Sequence, residues 1–163
     1  MNKYLLFIFT LFCCFNAKSQ SLNLSELIRF SESEKVDIQI ILQQKGWEYY
    51  YTKNNANFKS FIWYFDGIKK SNSISPNGIE VSAQYWIKKV ISNSSNYKAI
   101  DYECKYNVYV SLIKDRERMN LKYVGSNRDS QRDYDSYTDG VNKIDFIRYL
   151  DGKGYGVIIH TNF

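Results

Sequence analysis

Histidine, cysteine and proline are scarce in this chain of 163 residues, and each scarcity excludes something. His160 is the only histidine, and Cys104 is the only cysteine beyond residue 14. One histidine and one cysteine cannot supply the four ligands of a structural zinc site. A lone cysteine also leaves the chain beyond residue 14 without an internal disulfide, so we expect Cys104 to be a small buried residue of the core. Pro76 is the only proline, which argues against a proline-rich stalk.

Long apolar runs are absent beyond residue 15, whereas residues 5–15 are almost wholly apolar. This run follows Met1-Asn2-Lys3 and leads to Ala17-Lys18-Ser19, a layout typical of a secretory signal peptide cleaved after Ser19. The run is shorter than the roughly 20 residues that a transmembrane helix needs. We therefore expect a signal peptide at 1–19, one domain at 20–163 and no membrane span after cleavage. The protein is expected to be exported to the periplasm or the extracellular space.

Cys13 and Cys14 leave a lipoprotein as the alternative to simple cleavage. A lipobox has a small residue directly before the modified cysteine, whereas Phe12 precedes Cys13 and Cys13 itself precedes Cys14. Because both positions match poorly, cleavage after Ser19 is the preferred prediction.

The chain is mildly basic, and its basic residues are not concentrated in one segment. The formal net charge is +5, of which the leader residues Lys3 and Lys18 contribute two. The basic doublets are Lys69-Lys70 and Lys88-Lys89, and we expect both to lie on the solvated surface. Such a chain lacks the dense basic patch that nucleic-acid binding requires, so no nucleic-acid partner is predicted.

Patterns of catalytic or metal-binding residues are also missing. A Ser-His-Asp or Cys-His site would have to use His160, and no local nucleophile motif accompanies it. The aspartates between residues 129 and 139 miss the calcium-loop pattern, because Tyr137 and Thr138 occupy a ligand position and the glycine position. The sequence therefore predicts a protein that is not an enzyme and has no metal site and no cofactor.

Helical signals open the chain after the leader. Asn23 and Glu26 form a capping-box pattern for a helix that continues to about Phe30. A second helix is predicted from the helical spacing of Val36, Ile40 and Ile41, and it is predicted to end at Gly46. A third is predicted from the helical spacing of Tyr106, Tyr109, Val110 and Ile113.

From Trp47 onwards the apolar residues alternate with a period of two, which predicts strands. Trp47, Tyr49 and Tyr51 are expected to share one face, and the second strand is expected to end at Asp66-Gly67 before a polar loop at 68–78. Four strands thus follow the first helices, and four more follow the third helix. The predicted fold is α+β, an antiparallel sheet of about eight strands with helices packed on one face. The two helix-plus-four-strand halves, about 22–104 and 105–163, suggest an internal repeat.

This order of elements resembles the β-lactamase-inhibitor-protein architecture, in which tandem helix-plus-four-strand units form one curved antiparallel sheet with helices on one side. The resemblance covers about residues 22–163 and lies in the order of elements, so no functional residue carries over. The leader and the frequent use of Ile, Asn, Lys and Tyr are also similar to those of many small secreted Bacteroidota proteins. These resemblances imply a secreted binding module.

Alternation assigns each strand residue to one face of the sheet. The residues expected to face the helices are Trp47, Tyr49, Phe61, Trp63, Tyr85 and Ile87. The candidate binding residues on the opposite face are Tyr50, Ile62, Tyr64, Trp86 and Lys88. In the second half, the residues expected to join them are Tyr134, Arg148 and His160.

Tyrosine and tryptophan beside lysine on an exposed face are typical of interface hot spots. The alternative is that these rings cover one another across strands, as they do in ordinary sheets. From the first interpretation we predict a protein or peptide partner on this face. An inhibitor of, or immunity factor against, a secreted enzyme or toxin is the alternative function.

Overall fold

The structure is a computed structural model that describes residues 21–71, 79–152 and 154–162. The predicted signal peptide lies outside these residues. The helices are α1 (Leu24–Glu32), α2 (Lys35–Gln44) and α3 (Tyr106–Arg118). The strands of the first half are β1 (Glu48–Asn54), β2 (Phe58–Ser71), β3 (Ile79–Ser92) and β4 (Lys98–Cys104). Those of the second half are β5 (Lys122–Arg128), β6 (Arg132–Thr138), β7 (Asn142–Tyr149) and β8 (Tyr155–Thr161).

These strands form a single antiparallel sheet with the order β1-β2-β3-β4-β8-β7-β6-β5. Each half is a meander, and the last strands of the two halves, β4 and β8, pair at the centre of the sheet. The predicted α+β class and eight-stranded antiparallel sheet are confirmed. The internal repeat of two helix-plus-four-strand halves stays a prediction.

The ends of the first two helices follow the sequence signals. Asn23 and Glu26 form the predicted capping box at the start of α1. Gly46 adopts a φ of +85° after α2, where a side chain would be strained. This turn lets the Trp47 amide donate to the Leu42 carbonyl at 2.9 Å and sends the chain into β1.

All three helices pack on one face of the sheet. Helix α1 contacts β4 and β8, α2 contacts β1 and α3 contacts β8. The six residues predicted to face the helices all do so, with Trp63 and Ile87 fully buried. The face opposite the helices, called the open face below, carries no helix of the described chain.

The apolar stripe indicated for the second helix is wrong at Val36 and Ile40, whereas Ile41 packs against the core. Helix α2 buries Ile38 and Leu42, whereas Val36 and Ile40 are 65% and 50% exposed. Both pairs are spaced i, i+4, so the spacing alone cannot tell which stripe meets the sheet. The predicted third helix is present as α3; of the four residues that indicated it, Tyr109 is buried, Ile113 packs against the core and Tyr106 is exposed.

The predicted end of the second strand is also wrong. Strand β2 continues through Asp66-Gly67 to Ser71 because its backbone stays paired with β3. Asp66 takes a φ of +55° there, a left-handed conformation that aspartate tolerates better than most residues. Residues 68–71 are therefore strand, and the rest of the predicted loop, 72–78, lies outside the described residues.

A β-bulge in β1 overturns the predicted shared face of Tyr49 and Tyr51. The register shifts between these two residues, so that Tyr49 lies opposite Trp63 and Tyr51 opposite Ile62. An extra residue in one strand reverses the alternation after it. Tyr51 therefore lies on the open face together with Tyr50.

Lys89 is buried, contrary to the prediction that both basic doublets are solvated. Its side chain is fully buried on the helix side, and Nζ donates to the carbonyls of Phe30 and Ser31 at 3.0 Å each. These carbonyls belong to the last turn of α1, where no backbone donor is available within the helix. Burial lowers the pKa of Lys89 to about 8, and the nearby charge of Lys98 acts in the same direction.

Candidate functional site

Cross-strand register arranges the open face in rows. One row crosses β2, β3, β4 and β8 and consists of Tyr64, Trp86, Glu103 and Gly156. The neighbouring row crosses β1, β2, β3, β4 and β8 and consists of Tyr51, Ile62, Lys88, Asp101 and Ile158. Aromatic side chains thus occupy the β1–β3 side of the open face, and two carboxylates stand on β4 at its centre.

Two adjoining depressions, each of about 260 Å³, lie over these rows and together form what we call the central groove. Both are lined by Trp86 and Glu103. The first is lined in addition by Tyr50, Tyr51, Ile62, Lys88 and Asp101. The second extends towards the β7–β8 turn, where Tyr149, Asp151 and Gly154 line it, and it reaches Cys104 and Tyr155 of the helix side at the end of β4.

Tyr50 contacts three other aromatic rings on the aromatic side of the groove. Its ring centroid lies 4.7 Å from that of Tyr51, 6.1 Å from that of Tyr64 and 5.7 Å from that of Trp86. The ring planes are steeply inclined, at 83°, 89° and 59°, so the contacts are edge-on or tilted. Tyr64 is only 2% exposed, whereas Tyr50, Tyr51 and Trp86 are half-buried. The rings therefore cover one another in part and leave an accessible aromatic surface.

An ion pair between Lys69 and Glu48 lies next to Tyr64, at the β1 end of these aromatic rings. Lys69 donates to the Glu48 carboxylate, and its Nζ lies 5.8 Å from the centroid of the Tyr64 ring. The hydrogen bond from Lys69 lowers the pKa of Glu48, and burial raises the pKa of Tyr64. Tyr64 is thus covered by groups of its own chain and contributes little accessible surface.

The carboxylates of β4 form the polar floor of the groove. Lys88 Nζ lies 2.9 Å from Asp101 Oδ2, whereas the buried Oδ1 of Asp101 accepts no hydrogen bond from the described residues. The Tyr149 hydroxyl donates a hydrogen bond to Glu103 Oε1 at 3.2 Å. The pKa of Glu103 is raised, first because neighbouring groups displace water from the carboxyl and second because Asp101 is negatively charged. Among the described residues, Asp151 also lines the second depression, and Lys88 lines the first.

His160 belongs to a separate polar network on β6, β7 and β8. Asp145 accepts hydrogen bonds from Ser136 Oγ at 2.6 Å and Lys143 Nζ at 2.9 Å, and its Oδ2 lies 2.9 Å from His160 Nε2. Tyr97 Oη lies 2.8 Å from His160 Nδ1. Although burial alone would raise it, the pKa of Asp145 is lowered by the hydrogen bonds from His160, Ser136 and Lys143.

This network contains a serine, a histidine and an aspartate, but they are not connected as in a catalytic triad. Ser136 donates to the aspartate and not to the imidazole, so His160 is not placed to accept its proton. Both imidazole nitrogens are already engaged, by Asp145 and by Tyr97. The arrangement fits a structural role, in which hydrogen bonds link β6, β7 and β8 to Tyr97 in the turn before β4.

The remaining candidates from the sequence have structural partners. Asp129 pairs with Arg132, Asp133 with Arg128 and Asp135 with Arg148, while Asp139 accepts backbone hydrogen bonds in a turn. In the part of the chain that the structure describes, no group of three or more potential ligands could hold a metal ion. Cys104 is buried as predicted, and burial raises the pKa of its thiol to about 12, which disfavours the reactive thiolate.

The central groove contains four of the five candidate binding residues, Tyr50, Ile62, Trp86 and Lys88. Tyr134 pairs with Ile147 and lies on the open face nearer the far edge. The predicted face of Arg148 is wrong, because Arg148 pairs with Tyr155 on the helix side of the sheet.

Sequence reasoning missed Tyr51, Asp101, Glu103 and Tyr149 as groove residues. A signal for the two acids was present, because Asp101 and Glu103 alternate along β4 with buried Ile100, Tyr102 and Cys104. Tyr51 is on this face because of the bulge, which has no clear sequence signature. Tyr149 reaches Glu103 across β8, a relation that only the strand order reveals.

Comparisons of the chain with protein-family models, with curated proteins and with solved structures find no match. The resemblance to β-lactamase-inhibitor-protein modules therefore stays a prediction from the order of elements. None of the helices that the structure describes combines the length and apolarity needed to cross a membrane.

Proposed function

We propose that this chain is an exported, non-enzymatic binding module that holds a protein or peptide on its open face. The observation that carries the proposal is the central groove, where half-buried Tyr50, Tyr51 and Trp86 stand beside the carboxylates of Asp101 and Glu103. Tryptophan and tyrosine rings at the centre of a surface are the side chains that most often dominate the binding energy of protein interfaces. The open, shallow shape of the groove favours a macromolecular segment over an enclosed small molecule.

The structural roles of the few reactive side chains support a function without catalysis. Cys104 is buried, both nitrogens of His160 are engaged, and Ser136 donates to an aspartate. Cys104 is the one nucleophilic side chain among the described residues that line the groove, and burial raises the pKa of its thiol to about 12, which disfavours the thiolate.

Replacement of Trp86 by alanine tests the proposal. We expect the Trp86→Ala variant to lose at least about 2 kcal/mol of binding energy for its partner, roughly a thirtyfold weaker complex. The melting temperature should fall only slightly, because Trp86 is half-buried and packs on Tyr50 and Tyr64 at one side. The measurements are thermal unfolding and the yield of a pull-down with tagged protein from the cell envelope and medium.

Tyr123→Ala is the matched control for this experiment. Tyr123 is 54% exposed on the edge strand β5, outside the central groove. The control should retain both stability and partner capture. If Trp86→Ala lowers the melting temperature and captures the same proteins as the wild type, then Trp86 is a structural residue and the proposed function is wrong at its central position.

Export is tested by the mass of the protein recovered from the cell. We expect the mature chain to begin at Gln20 after cleavage behind Ser19, with Gln20 cyclised to pyroglutamate in part of the sample. Intact mass spectrometry measures both forms. A diacylated cysteine at position 13 or 14, or an uncleaved leader in the cytoplasm, would contradict the prediction.

A further inference from the structure

We infer that the partner of the central groove is a basic peptide segment that places a lysine or arginine side chain between the Trp86 ring and the Glu103 carboxylate. This inference rests on the proposed function and adds the chemical class of the partner. It is carried by the charge of the groove, by the positions of the chain's own cations and by the mutual tilt of the aromatic rings.

The charge of the groove is opposite in sign to that of the chain. The whole chain has a formal net charge of +5, yet among the described residues the first depression is lined by the carboxylates of Asp101 and Glu103 and by one cation, Lys88. Lys88 is held by Asp101 at 2.9 Å, whereas Glu103 accepts a hydrogen bond from the neutral hydroxyl of Tyr149. A positively charged side chain in the groove would therefore meet a carboxylate that the described cations do not neutralise by direct pairing.

Elsewhere in the molecule, cations of the chain itself lie over aromatic rings. Lys35 lies 4.4 Å from the Tyr49 centroid, Arg116 4.7 Å from that of Tyr137, and Lys105 5.9 Å from that of Tyr85. None of the cation–π contacts between described residues involves Trp86, although tryptophan is the best ring for this interaction. Trp86 and Glu103 are directly paired across β3 and β4, so one cation can contact both the ring and the carboxylate.

The inclination of the rings disfavours a carbohydrate as the partner. Sugar rings stack best on flat aromatic faces that lie side by side, whereas the planes of Tyr50 and Trp86 are inclined by 59° and those of Tyr64 and Trp86 by 51°. Two depressions that meet at Trp86 and Glu103 instead suit a chain whose successive side chains enter separate hollows. These features favour a basic peptide.

The test is a set of calorimetric titrations of the mature protein with defined probes. The probes are synthetic octapeptides of alternating lysine and threonine, serine and threonine, or glutamate and threonine, and a neutral glucose oligosaccharide. We expect the lysine peptide alone to bind, with affinity that falls as salt increases. It should also change the tryptophan emission, because Trp47 and Trp63 are buried and Trp86 is the accessible tryptophan.

Two charge-matched variants make the test specific. Glu103→Gln keeps an acceptor for Tyr149 but removes the charge, and should weaken the lysine peptide about tenfold. Glu117→Gln removes the same charge from α3 on the helix face, where its side chain is 64% exposed, and should leave the affinity unchanged. Thermal unfolding confirms that both variants are folded.

Several outcomes overturn the inference. It fails if the lysine peptide does not bind, if the neutral or acidic peptide or the oligosaccharide binds as tightly, or if Glu103→Gln has no larger effect than Glu117→Gln. If Trp86→Ala still abolishes capture of the cellular partner in those cases, the binding face stands and only the basic character of the partner is wrong. If Trp86→Ala has no effect on capture either, the proposed function fails as well.

Discussion

Replacing Trp63 with alanine is expected to lower the free energy of unfolding by about 3–5 kcal/mol, the usual cost of truncating a large buried aromatic side chain. Trp63 is fully buried on β2, and its ring packs 5.7 Å from that of Tyr49 and 6.4 Å from that of Phe61. It belongs to the cluster that joins the helices to the sheet. Because small domains have only about 5–15 kcal/mol of stability, the loss should be visible in urea unfolding as a large shift of the midpoint.

Trp63→Phe separates cavity formation from loss of the indole N–H. The Nε1 atom of Trp63 is buried and donates to no acceptor among the described residues, so its removal costs no hydrogen bond there. Phenylalanine retains most of the ring volume, and we expect it to cost less than about 1.5 kcal/mol. An alanine variant as stable as the phenylalanine variant would show that Trp63 does not face the core.

Replacing Lys89 with alanine is the second change with a large expected effect. We expect a loss of roughly 2–5 kcal/mol, as for other long side chains truncated in a core. The substitution opens a cavity and leaves the Phe30 and Ser31 carbonyls at the end of α1 without their donor. Urea unfolding of wild type and variant near neutral pH measures the difference. A loss below about 0.5 kcal/mol would mean that Lys89 is solvated.

Lys89→Met tests the pH dependence of the same site, because methionine keeps the packing and cannot titrate. The pKa of Lys89 is lowered from 10.5 to about 8 in the folded chain. Between these values the unfolded state binds more protons, so the Lys89 contribution to stability rises as the pH increases from about 8 to 10. Lys98 and Glu34 are the charged groups that act on it.

The comparison must be made as a difference between wild type and Lys89→Met. Burial raises the pKa values of Cys104 and Tyr109 to about 12, and these groups lower the stability of both proteins at alkaline pH. The stability of the wild type relative to Lys89→Met should increase from pH 8 to pH 10. A difference that stays constant over this range would contradict the lowered pKa.

Local patterns predicted the fold because they reflect backbone geometry directly. Alternation placed Trp63, Ile87 and Trp86 on their correct faces, and the capping box at Asn23 placed the start of α1. The α2 face escaped prediction because the Val36 stripe and the Ile38 stripe have the same spacing, and only the tertiary fold selects between them. Lys89 escaped because its burial depends on carbonyls 58 and 59 residues away.

The candidate site was predictable up to the point where it depends on strand order. Tyr50, Ile62, Trp86 and Lys88 lie on β1, β2 and β3, which are neighbours in both sequence and space, and all four line the groove. The contribution of Tyr149 depends on the β4–β8 and β8–β7 pairings, which no local pattern specifies. The polar side of the groove is therefore a result of the topology.

The most direct measurement of the central claim, that the groove around Trp86 is the binding surface, is photo-crosslinking from that position. Protein with p-benzoylphenylalanine at position 86 should form a covalent adduct of defined mass with its partner when the cell envelope is irradiated. The same label at position 123, on the exposed edge of the sheet, should form none. An adduct at position 123 that equals the one at position 86, or no adduct at position 86, would contradict the account.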